Sequence, residues 1–209
     1  MTGNCVRRTI YLHDVAGGAG GMKEIWHGEV ALTTPRLLLR AYRMDDLPLY
    51  GGLNADPEVA KYLGGPITRE ESDDIADWAQ ALHSAEGIGL LAVERRADGK
   101  FVGMCGLHHL DWYPDDIEIG WRLERRYWGN GYATEAANAW LAYGFQTLNL
   151  PRVISVTDVP NTRSIAVMRR LGMTVDHYAT LEEHGETFDA VVHAITKEQW
   201  AAKHAADAP

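Results

Sequence analysis

The stretch R-Y-W-G-N-G-Y-A, Arg126 to Ala133, decides how this chain is read. Before it, D-I-E-I-G-W-R-L alternates apolar and polar residues and ends a strand near Leu123 and Glu124. After it, Ala133, Ala136, Ala137, Trp140, Leu141 and Gly144 recur at helical spacing, so a long amphipathic helix starts at the glycines. In such a strand-turn-helix the glycines admit a ligand close to the backbone and successive N–H groups converge on it. The helix N-terminus adds partial positive charge, and the geometry binds an anion. Neither the G-K-[ST] of a nucleoside-triphosphate loop nor the G-x-G-x-x-G of a dinucleotide fold is present. Taken alone, Gly129 and Gly131 also fit a plain turn.

The flanking sequence supplies a sheet for this loop. L-T-T-P-R-L-L-L-R-A-Y, Leu32 to Tyr42, reads as a first strand, with Asp45 and Asp46 placed to cap a helix from Leu47. D-P-E-V-A-K-Y-L is a short helix stopped by Gly64, Gly65 and Pro66, and Thr68 with Glu71 forms a capping box for a helix to about Ser84. Gly89–Arg95, Lys100–Asp111 and Asp116–Glu124 read as strands with short connections, which implies an antiparallel meander. R-V-I-S-V-T is a buried strand, N-T-R-S-I-A-V-M-R-R-L-G-M a capped helix ended by Gly172, and strands lie around Val175–Leu181 and Phe188–Ile195. Trp200 sits in a frayed C-terminal helix. The fold class is α+β: a mixed, mostly antiparallel central sheet with helices on both faces. Residues 1–21 end in A-G-G-A-G-G and read as a flexible extension, leaving a single domain over 22–209.

Composition narrows the function. Twenty Lys and Arg against 29 Asp and Glu give a formal charge of −9, the wrong sign for a nucleic-acid or anionic-membrane protein. An anionic ligand must then be held by local N–H groups and a few arginines, and a cationic partner is favoured. Cys5 and Cys105 form no C-x-x-C, so neither a disulfide framework nor a zinc site is expected. No apolar run approaches the ~20 residues of a bilayer span, and no signal-peptide core opens the chain, so the reading is cytoplasmic.

The motif R-x-x-G-x-G-x-A resembles the acetyl-CoA loop of the GNAT superfamily of N-acetyltransferases. The wider string from Ile119 to Ala136 is similar to the branch that includes the ribosomal-protein alanine N-acetyltransferases. With P-R-L-L-L-R and N-T-R-S, the resemblance covers roughly Val30 to Glu198. It implies a pyrophosphate held by Arg126, Gly129, Asn130, Gly131, Tyr132 and Ala133, with the Thr134 hydroxyl added. It further implies pantetheine paired to a splayed strand at Trp121 and Leu123. Asn161, which also reads as a simple N-cap, would bond the same arm, and Ser164 would lie near the sulfur. Relatives often carry a tyrosine acid seven residues after this asparagine; here the position is Met168. Arg169 and Arg170 are candidates for the coenzyme's 3′-phosphate or for a solvated helix face.

An alkylammonium of pKa ~10 must lose a proton before attacking a thioester, so the site needs a base. Glu118, Gly120 and Arg122 share one strand face, and Glu118 serves either as that base or as a salt-bridge partner of Arg122. His108 is the rival base; His109 points to the opposite face, so the two chelate no metal together. Trp112, Tyr113 and Trp128 are candidate walls for a cationic acceptor, and Trp140 is core. The function implied is direct transfer of acetyl from acetyl-CoA to a primary amine, on a small molecule or a protein N-terminus. The alternative is an inactive acyl-CoA-binding module or sensor. The acceptor's identity and a homodimeric state stay open.

Overall fold

The computed structural model describes residues 30–183 and 185–206. The extension expected over residues 1–21 lies outside them. Its strands are β1 (Val30–Thr33), β2 (Leu37–Arg40), β3 (Gly89–Arg95), β4 (Lys100–His109), β5 (Ile117–Leu123), β6 (Arg152–Asp158), β7 (Thr174–Glu183) and β8 (Glu186–Thr196). The helices are α1 (Leu47–Ala55), α2 (Pro57–Ala60), α3 (Arg69–Glu86), α4 (Tyr132–Gln146), α5 (Thr162–Leu171) and α6 (Lys197–Ala206). The strands make one sheet in the order β1-β2-β3-β4-β5-β6-β8-β7, and β5–β6 is the parallel neighbour pair among antiparallel ones.

Alternation along the strands builds two cores. Leu91, Val93, Cys105, Leu107 and Ile119 face one way and meet Ala136, Ala137, Trp140, Leu141 and Phe145 of α4, with Met168 and Leu171 of α5. Leu90, Ala92 and Met104 face the other way and meet Tyr50 and Leu53 of α1 and Ala76 and Ala79 of α3. Helices therefore cover both faces, as the apolar periodicity requires. The Thr68–Glu71 capping box forms at the start of α3, and left-handed Gly87 ends it.

Three local expectations change. The first strand is a hairpin: Thr34 N–H donates to Leu37 O at 2.9 Å and Leu37 N–H donates to Thr34 Oγ1 at 2.9 Å. Pro35, lacking an N–H, sits in the turn instead of a ladder. Asp46 occupies the N-cap position of α1 without capping it. Its carboxylate is taken by Arg40, at 2.6 and 3.0 Å, and by the Arg43 N–H at 2.7 Å. A buried guanidinium outcompetes a helix end for this carboxylate because an unpaired charge there costs more than an uncapped amide. Finally, α6 is anchored rather than frayed, since Trp200 is buried with its ring 5.6 Å from Phe145.

Candidate active site

The site begins where the sheet opens. β5 and β6 pair at Ile117–Val153 and Glu118–Ile154, after which β5 stays with β4 as far as Leu123 and β6 with β8 as far as Asp158. Glu124 N–H donates to Val102 O of β4 at 2.9 Å. By strand alternation the backbone groups of Leu123 and Trp121 point the other way, into the gap. A cleft of about 1330 Å³ fills this opening. Its walls include Trp121, Leu123, Gly129, Gly131, Tyr132, Ala133, Thr134, Asn161, Ser164, His108 and Glu118, so the structure brings most of the expected site residues to one space. Trp128 and Arg163 also face it, the guanidinium 4.5 Å above the indole, while the indole N–H donates to Leu123 O at 2.8 Å.

The loop places its glycines where no other residue is comfortable. Gly129 and Gly131 both have φ of +77°, in the left-handed region. Gly131 is the N-cap residue of α4, so the N–H groups of Tyr132, Ala133 and Thr134 have no intrahelical acceptor. Arg126 and Asn130 do not join the cleft walls. The Arg126 guanidinium pairs with Glu124 and lies 5.1 Å above the Tyr127 ring. The Asn130 side-chain amide donates to Tyr127 O and Trp128 O, both at 3.1 Å. An asparagine between two left-handed glycines can bond its own turn, and here that local option wins.

On the opposite wall Asn161 is the N-cap of α5: its Oδ1 accepts from Ser164 N–H at 3.3 Å, and its amide donates to Thr157 Oγ1 at 2.8 Å. Met168 is fully buried in the core between α5 and the sheet. A tyrosine there would have to bring its hydroxyl through that packing. Arg170 borders the cleft and a shallower groove outside it, whereas Arg169 lies near the buried His193.

The two rival bases are neighbours. β4 and β5 pair in register with His108 opposite Glu118, and His108 Nε2 is 3.3 Å from Glu118 Oε2. Glu118 Oε1 accepts from Val156 N–H at 2.8 Å, an amide of β6 just past the point where the strands separate. Both side chains are buried. His108 Nδ1 is 2.7 Å from His109 O, which fixes the proton on Nδ1 and leaves Nε2 a lone pair aimed at Glu118. Burial pushes the His108 imidazole down to about 4, so it is neutral at neutral pH. Arg122, two residues along the same strand face, donates to Asn54 Oδ1. His109 turns outward to Glu86 at 2.8 Å. Trp112 lines the cleft with Phe188, their rings 5.5 Å apart, while Tyr113 instead bonds His177 at 2.9 Å. Among the described residues no group of three His, Cys, Asp or Glu is arranged to hold a metal.

Sequence reasoning missed Thr34, Arg36 and Glu135. Thr34 Oγ1 donates to Glu135 Oε1 at 2.6 Å, Arg36 N–H to the same oxygen at 2.9 Å, and Arg36 Nε to Glu135 Oε2 at 2.5 Å. Some hundred residues separate the partners, and no local pattern announces the contact.

The comparisons agree with this geometry. The acetyltransferase (GNAT) domain family matches residues 36–174. The chain is 34% identical to the Bacillus subtilis protein YkkB over 73% of its length and 88% of that protein. It is 30% identical to the N-acetyltransferase p20 of Bacillus licheniformis over 81% and 98%. A GNAT-family acetyltransferase from Bacillus anthracis superposes with a TM-score of 0.71 at 28% identity, covering 80% of this chain and 98% of that one. A sheet split between β5 and β6, a glycine loop opening a helix at the split, and these likenesses together make the chain a member of the GNAT acetyltransferase family, whose enzymes take their acyl group from acetyl-CoA.

Proposed function

We propose that this enzyme moves an acetyl group from acetyl-CoA directly to a primary amine, with the Glu118–His108 pair accepting the amine proton. The observation that carries the reading is that pair: two buried acceptors, 3.3 Å apart, facing the cleft at the point where the sheet opens. Neutral Nε2 and a carboxylate oxygen leave room for one proton between them, and a proton taken there belongs to both.

In this reading the N–H groups from Gly129 to Thr134 hold the pyrophosphate, Trp121 and Leu123 pair with the pantetheine amides, and Asn161 adds a contact from the other wall. The amine nitrogen attacks the thioester carbon as its proton passes to the pair. A backbone N–H beside Leu123 steadies the oxyanion, the C–S bond then breaks, and the thiolate leaves. With Met168 at the position where relatives often carry a tyrosine, that phenol is not there to protonate the thiolate. Its pKa of ~8.5 makes it a tolerable leaving group, and Ser164 or water supplies the proton.

The acceptor is a small amine or a protein N-terminus, and the protein's charge of −9 favours a cationic one. Among the described residues no helix is long and apolar enough to cross a membrane. Thiol release from acetyl-CoA across a panel of primary amines tests the activity. Glu118→Gln is expected to lower kcat by about 10²–10⁴-fold, with the KM for acetyl-CoA held. A full-rate Glu118→Gln enzyme would refute the assignment.

A further inference from the structure

Three carbonyl groups of the glycine loop are held by side chains. Asn130 Nδ2 takes Tyr127 O and Trp128 O, and Arg36 Nη1 takes Asn130 O at 3.0 Å. In a trans peptide the C=O of one residue and the N–H of the next point in opposite directions. With Trp128 O bound behind the loop, Gly129 N–H is directed to its front. With Asn130 O bound by Arg36, Gly131 N–H is directed away from Arg36.

Arg36 is itself immobilised. Its Nε and N–H bind the two oxygens of Glu135, its guanidinium lies 4.7 Å above the Tyr132 ring, and the Thr34 hydroxyl donates to the same Oε1 as the Arg36 N–H. Burial works against the charge on Glu135, but bonds from Thr34 and Arg36 keep its carboxyl below the usual carboxylate range. Glu135 belongs to the first turn of α4, and its own N–H completes the helix to Gly131 O at 3.0 Å. One carboxylate therefore ties the β1–β2 turn, the loop carbonyl and the helix start into a single frame.

We infer that Arg36 and Glu135 are positioning residues for the coenzyme: they hold the Asn130–Gly131 peptide with its N–H toward the pyrophosphate and touch no ligand themselves. Arg36 stands behind the peptide whose donor faces forward, so its charge is spent on Glu135 and a carbonyl rather than on phosphate. This deepens the loop assignment above and rests on it.

The test compares two donors, acetyl-CoA and S-acetyl-pantetheine, the second lacking the pyrophosphate. Arg36→Gln and Glu135→Gln are each expected to raise the KM for acetyl-CoA by about tenfold or more while leaving the KM for S-acetyl-pantetheine and the kcat with either donor near the wild-type values. Arg36→Lys keeps the charge but cannot bridge Glu135 and Asn130 O at once, and is expected to behave like Arg36→Gln. Full recovery with lysine would mean that bulk charge attracts the coenzyme, and would overturn the inference. So would equal losses with both donors, the signature of a merely structural frame. If the wild type handles both donors alike, the loop assignment falls and this inference with it. If the wild type prefers acetyl-CoA and both variants keep that preference, only this inference falls.

Discussion

His108 shows how one buried ring couples the site to stability. The fold keeps its imidazole neutral down to about 4, whereas the unfolded chain protonates it as pH falls through 6.5. Between those values the unfolded state binds more protons, so stability is complete above 6.5 and is lost as pH falls toward 4. The loss amounts to up to about 3 kcal/mol over the window, less whatever Glu118 returns by sharing the proton. Urea unfolding at pH 7 and pH 5 is expected to show this decline in the wild type and a flatter response in His108→Gln; matching slopes would rule it out. At this scale the sequence was readable in kind but not in pairing. Alternation put Glu118 in the strand face opposite Trp121, and the chemistry of amines required a base. That His108 and Glu118 lie side by side depends on the β4–β5 register, in which they are opposite neighbours. No spacing within either strand reveals a register.

Elements whose signals are local matched their reading. α3 has its capping box, α5 its asparagine cap and terminal Gly172, and the loop its paired glycines. Thr68→Ala removes the hydroxyl that accepts Glu71 N–H. It is expected to cost about 1 kcal/mol and to lower Tm by about 2–4 °C. The KM for acetyl-CoA should not change, because Trp78, Leu82 and Glu86, which line the cleft, sit in the later turns of α3. A shift in KM without a shift in Tm would contradict this. Signals that compete across space were misread. Asp46 looks like a cap until Arg40 is folded beside it. Arg36 and Glu135, 99 residues apart, carry no sign of each other.

At the scale of the whole molecule, the cleft is an interruption in one sheet. β1–β5 and β6–β8 are each antiparallel, and the two sets share the Ile117–Val153 and Glu118–Ile154 pairs. A pantetheine arm lying in the gap would act as a partial strand joining them. Added coenzyme A is expected to slow amide hydrogen exchange in β5 at Trp121 and Leu123 and in β6 from Ser155 to Thr157, as well as in the loop. Protection confined to the loop would mean that the arm does not enter the gap.

The same division orders events as the chain leaves the ribosome. β1 to β5, with α1 to α3, can pair and cover the face of Leu90 and Met104 from neighbours close in sequence. The opposite face, with Leu91, Leu107 and Ile119, waits for Trp140, Leu141 and Phe145 of α4 and for residues as late as Trp200. A nascent chain paused after β5 therefore exposes half of its interior, and that half-covered sheet is the state most in need of a chaperone.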